Sequence, residues 1–152
     1  NAFAAPDLLH LAEETVDALV DGIPDIGLVV SAAGAVILTY YGNKVHVGLP
    51  FTSDVEPMKL HAGSQAGTAR GKKQRINKVT CCFYETGEGV TVGPDSSHMK
   101  EVYDLDAGLN TLDVPFSFSG DWGDEATLYV RQTKPLPMTI LALVPRVSLN
   151  ED

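Results

Sequence analysis

The sequence predicts an all-β fold: a mainly antiparallel, β-sandwich-like domain with long loops. Three observations carry this. Short apolar runs alternate with polar residues at period two, and turn residues interrupt them at short intervals (14 Gly and 9 Pro in 152 residues). Only Pro6–Glu14 has a helical pattern, and it is weak. A chain of this length forms one domain and can bury roughly 70% of its unfolded surface. The 44% hydrophobic content supplies such a core without staples.

Taken in order, Leu8–Ala12 and Thr15–Val20 read as short strands separated by Glu13 and Glu14, and Asp21-Gly22 as a turn. Pro24 and Gly27 bracket a further turn. Ile26–Ser31 and Ala35–Tyr41 flank Ala32-Ala33-Gly34 as a hairpin, and Gly42-Asn43 leads into the strand Lys44–Gly48. The first 43 residues are expected to form a β-hairpin region packing on a main sandwich-like unit of residues 44–152, the two making one domain. Ser53–Leu60 continues extended, demoted to an edge or connection by Pro57. Residues 61–71, with three glycines, read as a loop.

Lys72–Tyr84 is the longest strand candidate. Val79, Cys81 and Phe83 share one face, but Ile76 has the wrong parity to join them. A β-bulge near Asn77-Lys78 would bring both sets into the core, and one is predicted there. Thr86–Gly89 turns the chain into Val90–Val92, and Gly93-Pro94-Asp95 ends that strand. His98–Leu105 reads as extended or as a helical turn. Leu112, Val114, Phe116 and Phe118 alternate along one face, interrupted by Pro115. Leu128 and Val130 point inward from Ala126–Gln132. Met138–Val147 closes the domain, and its Met138–Val144 part is apolar on both faces, with Met138, Ile140, Ala142 and Val144 on one side and Leu141 and Leu143 on the other. It therefore reads as a central core strand, or alternatively as an edge sealed by a neighbouring subunit.

Charge limits the partners. Twenty acidic residues against eleven basic ones give a net charge of −9, which argues against general nucleic-acid binding. Five of the eleven cations (Arg70, Lys72, Lys73, Arg75 and Lys78) fall within residues 70–78 and form the candidate interaction loop. Such a cluster suits an acidic neighbour or DNA, or a solvated edge strand protected from unwanted pairing.

Chemistry-bearing patterns are sparse. His10, His46, His61 and His98 show no close ligand pair. Ser96, Ser97 and His98 lack a nucleophile elbow and read as a turn with capping hydroxyls. The pairs Asp104/Asp106 and Asp124/Glu125 fit chance proximity in an acidic chain better than a glycosidase pair. Gly63–Gly71 lacks the Gly-Lys-Ser/Thr ending of a phosphate cradle. Adjacent Cys81 and Cys82 point to opposite faces and suggest a reducing compartment rather than a disulfide framework. The reading is non-enzymatic, with no cofactor and no metal. Trp122, the single tryptophan, sits in a turn beside carboxylates; it reads as packing over the core, or alternatively as a sugar-stacking platform. No apolar run reaches the roughly 18 residues of a membrane span. Beginning at Asn1 rather than Met, the chain is expected to be a piece of a larger protein.

Three segments carry a family resemblance. Val45–Ser53 (V-H-V-G-L-P-F-T-S) is similar to a recurring V-x-V-G-L-P-[YF]-T-S strand of the tail nozzle (tail tubular protein B-like) proteins of short-tailed bacteriophages and prophages. Gly67–Val79 resembles the family's G-T-A-x-G-K-x-K-R-I-x-K-V segment, and Gly87–Gly93 its following glycine-rich hairpin. Together they fall within residues 45–93, about a third of the chain; Cys81-Cys82 stands where the family usually has a long apolar or basic side chain. The resemblance implies a structural virion protein: a subunit of a ring, sixfold in the full-length parent, at the distal end of the tail. It also implies assembly in the host cytoplasm, contact with a tail adaptor and other tail proteins, and passage of DNA without specific binding. The alternative is a carbohydrate-binding sandwich module of a receptor-binding or adhesin protein, with Trp122 as its platform.

Overall fold

The computed structural model describes residues 2–3, 8–60, 63–64, 67–68, 71–117, 121–124 and 126–150. It is all-β, and every paired strand is antiparallel. The chain forms two compact units, Asn1–Thr52 with Thr133–Leu136, and Ser53–Gln132 with Pro137–Asp152. The first unit thus extends past the Asn43/Lys44 boundary drawn from the sequence, because the strand after that point pairs back onto an early one.

In the first unit β1 (Ala2–Phe3) is followed by one turn of 3₁₀ helix at Leu8–Leu11, where the sequence suggested a strand. Then come β2 (Thr15–Val20), β3 (Ile23–Val29), β4 (Val36–Ile37) and β5 (Val45–Gly48). The order is β3-β2-β5, with β1 paired to β4. Asp21 and Gly22 both have positive φ (48° and 91°), the requirement of a type I′ turn matching the twist of β2 and β3. The Asp21 carboxylate then accepts the backbone N–H groups of Asn43 and Lys44, each at 2.8 Å, tying the entry of β5 to that turn.

Two expectations fail in this unit. Pro24 and Gly27 do not bracket a turn: β3 runs through both and absorbs the irregularity as a bulge opposite Val16–Ala18. There Gly27, at φ 72°, donates its N–H to Asp17 Oδ1. Nor does β4 pair with β3 as a hairpin, since its ladder partner is β1. Val16, Ala18, Val20, Val30, Val36 and Leu38 form the core of this unit.

The second unit contains β6 (Ser53–Val55), β7 (Gly63–Ser64), β8 (Gly67–Thr68), β9 (Gln74–Thr86), β10 (Val90–Gly93), β11 (Lys100–Glu101), β12 (Asn110–Ser117), β13 (Tyr129–Gln132) and β14 (Ile140–Leu149). A sheet ordered β12-β9-β14 faces one ordered β11-β10-β13-β6, while β7 and β8 pair as a small ribbon within the expected loop. Between the two sheets lie Ile76, Val79, Cys81 and Phe83 of β9, Val90 and Val92 of β10, Val114 of β12 and Val130 of β13, with Leu128 just ahead of β13. This is the two-layer arrangement of a sandwich.

The expected bulge in β9 is present. Arg146 pairs with Lys78 but Val147 pairs with Ile76, leaving Asn77 as the extra residue. Ile76 and Val79 are both buried as a result. The Asn77 side-chain amide donates to Ser148 Oγ at 3.0 Å, so its polar group is satisfied. Pro115 does not interrupt β12, which is an edge strand among the described strands, a position where proline is tolerated. Leu112, Val114 and Phe116 face the core; Phe118 lies outside the described residues.

Of the two expectations for the last strand, the central one fails. β14 is the edge of its sheet among the described strands, not a central strand. Ile140 pairs with Phe83 but Ala142 with Cys82, so Leu141 is an extra residue and inverts the parity beyond it. Leu143 and Val147 therefore pack on the core with Ile140, while Ala142 and Val144 face outward.

The two faces of β9 predict opposite responses to truncation. Phe83→Ala, which empties a fully buried site, should cost about 3–5 kcal/mol in denaturant unfolding. Tyr84→Ala, one residue on and facing outward, should cost about 1 kcal/mol or less. Equal costs at the two positions would mean that the strand faces are misassigned.

Candidate functional site

The five cations of the expected basic loop divide into four groups. Arg70 lies outside the described residues. Lys72 is half-buried at the entry to β9. Lys73 and Arg75 fold back onto the loop of residues 121–124, which two backbone hydrogen bonds between Gln74 and Gly123 (2.8 and 3.1 Å) hold against the start of β9. Lys73 Nζ lies 2.9 Å from Asp124 Oδ1, and the Arg75 guanidinium sits over the Trp122 ring, 5.0 Å from its centroid. Both partners of the Lys73 pair are exposed, so solvent screens it and it contributes little.

Lys78 behaves differently. The bulge at Asn77 turns it outward, onto a cross-strand row running Ser117, Lys78, Arg146. Like charges directly opposite one another are destabilising, and neither Lys78 nor Arg146 has an ion-pair partner among the described residues. The next rows on this face are Pro115–Thr80–Val144 and Asp113–Cys82–Ala142. Arg146 was missed at the sequence level because only the ladder brings it beside Lys78.

Trp122 is 44% exposed with Arg75 over it. Beside it is a cavity of ≈ 40 Å³ lined by Gln74, Arg75, Pro94, Asp121 and Thr127 among others. That volume admits a few waters but not a sugar ring. Gln74 Oε1 and Arg75 Nε are buried without a hydrogen-bond partner, while Gln74 Nε2 donates to the Asp124 carbonyl at 3.2 Å. A second hollow, in the first unit, is a groove of ≈ 210 Å³ whose lining includes Asp17, Leu19, His46, Leu49, Phe51 and Pro135.

The remaining candidates resolve as local structure. Asp95 Oδ1 accepts the N–H groups of Ser97 (2.7 Å) and His98 (3.0 Å), and Oδ2 lies 2.8 Å from His98 Nδ1. The His98 side chain, then the Ser97 amide, hold the Asp95 carboxyl below its ordinary value. That is a turn, as the sequence suggested, but the cap is the Asp95 carboxylate rather than the serine hydroxyls. Arg131 grips Asp54 through two bonds (2.7 and 3.1 Å), fixing edge strand β6 to β13 and lowering the Asp54 pKa. His61 and Glu125 lie outside the described residues. Among the described residues, no three His, Cys, Asp or Glu side chains group as metal ligands, and no helix is long and apolar enough to cross a membrane.

Both cysteines are free thiols. Burial, and secondarily the adjacent Cys82, push the Cys81 thiol up to about 11. Cys82 is also raised, chiefly by its hydrogen bond to the Asp113 carboxylate. Neither shift favours the nucleophilic thiolate.

The chain matches no protein-family model, and no curated protein matches it.

The thiol environments predict a labelling order. At pH 8 a thiol reagent should modify the native protein slowly, Cys81 most slowly, with both sites reacting fast on unfolding. Rapid native labelling of Cys82 would show that its hydrogen bond to Asp113 is not formed.

Proposed function

We propose that the chain is a structural domain of a phage or prophage tail nozzle subunit, acting by assembly rather than catalysis. On this reading the whole protein forms a ring, sixfold by the family resemblance, at the distal end of a virion tail assembled in the bacterial cytoplasm. It contacts an adaptor and other tail proteins, and DNA passes through without specific binding. The observation that carries the reading is the outward row of Lys78 and Arg146 on an otherwise acidic chain. Such a row is unfavourable in an isolated sheet and becomes favourable against a neighbour's carboxylates. The resemblance of Val45–Ser53, Gly67–Val79 and Gly87–Gly93 supplies the family. Rotationally repeated β domains gripping their neighbours suit a ring, and a net charge of −9 suits a channel wall that does not retain phosphate.

The second reading, a carbohydrate-binding module, rests on half-exposed Trp122. Arg75 already stacks on that indole, and the adjacent cavity is too small for a pyranose. Assembly is therefore preferred.

Negative-stain electron microscopy of the full-length protein, across a concentration series and with its adaptor added, separates the two. Closed rings with a central channel are expected. Dispersed particles under every condition, together with glycan binding abolished by Trp122→Ala, would replace the assembly reading with the carbohydrate one.

A further inference from the structure

One flank of the second unit brings exposed apolar side chains next to two cations. Here β14 ends its sheet, and the segment following β6 borders it. Between them Pro57, Met58, Leu60, Leu128, Leu143 and Pro145 line an apolar hollow of ≈ 50 Å³. Met58 is 92% exposed, Leu141 66% and Val144 57%. Edge strands in stable monomers are blunted by charge, proline, bulges or shortness, and β14 carries a bulge at Leu141, Pro145 and Arg146, so what the flank offers a partner is its apolar and basic side chains. β14 is ten residues long, and its first five (Ile140–Val144) carry no charge. Pro145 and Arg146 follow, and Arg146 completes the cation row with Lys78. The flank is therefore an apolar strip with an unneutralised basic end.

We infer that this flank docks a second copy of the chain in a head-to-tail contact, the apolar strip against the neighbour's surface and Lys78 with Arg146 against its carboxylates. The inference rests on the assembly reading above and names the surface that performs it. Charge identifies the occupant. With five cations concentrated at residues 70–78, the rest of the chain carries six against all 20 carboxylates, so another copy offers an acidic surface by composition. Charge also sets the symmetry. β14 contains no Asp or Glu. A two-fold antiparallel contact of this flank with itself would set each copy's Arg146 along a partner β14 that carries no carboxylate, leaving both cation pairs unneutralised. A heterologous contact avoids that and generates rings when the rotation closes.

The test is mass photometry and sedimentation velocity on the full-length protein, comparing wild type with Arg146→Glu, Val144→Lys and Lys100→Glu. Lys100 lies on β11, at the opposite edge of the facing sheet from β6. It controls for the change in net charge. All three positions are exposed, and circular dichroism with thermal melts verifies that each variant folds. The expected result is cyclic oligomers for wild type and Lys100→Glu, and self-association weakened at least about tenfold by each of the other two. Wild-type assembly that added salt partly weakens would agree with the basic end being in the contact. Unimpaired assembly by both flank variants overturns the inference and leaves the assembly reading standing. A wild type that closes only as a two-fold dimer overturns the head-to-tail contact. A wild type that stays monomeric at every concentration, with its adaptor added as well, overturns both the inference and the reading it rests on.

Discussion

A strand in which Ile76 and Val79 both face inward must hold one residue too many between them, and Asn77 is that residue. The consequences extend in both directions along β9. Toward its start, the shifted parity buries Gln74 and Ile76, and Gln74 pairs with Gly123 to anchor the loop bearing Trp122. Toward its end, Val79, Cys81 and Phe83 fill the space between the sheets. Regular alternation from Ile76 would instead aim Lys78 at the core, an expensive place for an unpaired ammonium. The bulge therefore both completes the core and puts Lys78 on the outer face, so one backbone irregularity underlies fold and candidate interface alike.

The outer face of the same sheet shows how a small change of register alters a surface. An extra residue at Leu141 reverses the parity of β14, sending Leu143 inward and Val144 outward. Val144 and Arg146 thereby join Thr80 and Lys78 on one surface. Two bulges on neighbouring strands thus assemble an apolar strip with a basic end from residues distant in sequence. Asp54 with Arg131, and Thr86 with Thr139, fasten the surrounding elements through side-chain hydrogen bonds. The flank is accordingly held by both sheets.

Much of this was legible in the sequence wherever a strand is long and one-sided. The two faces of β9, the inward run of Leu112, Val114 and Phe116, and the bulge at Asn77 all follow from alternation and one parity conflict. β14 was not legible, because a strand apolar on both faces gives no sign of which face is covered, and its own bulge leaves no polar marker. Pro24 misled because proline signals a turn statistically, while β3 accommodates it within a bulged strand. The basic cluster was visible as composition, but its division was not. Lys73 and Arg75 are drawn to Asp124 and Trp122, whereas Lys78 acquires Arg146, and only the tertiary pairing decides which cation meets which partner.

The central claim, that this domain works by meeting copies of itself along β14, is tested most directly by a cryo-electron microscopy map of the assembled full-length protein. The account predicts β14 at a subunit boundary, with Val144 covered and a neighbour's carboxylates within ion-pair distance of Lys78 and Arg146. A closed assembly in which β14 and Arg146 face solvent would contradict it.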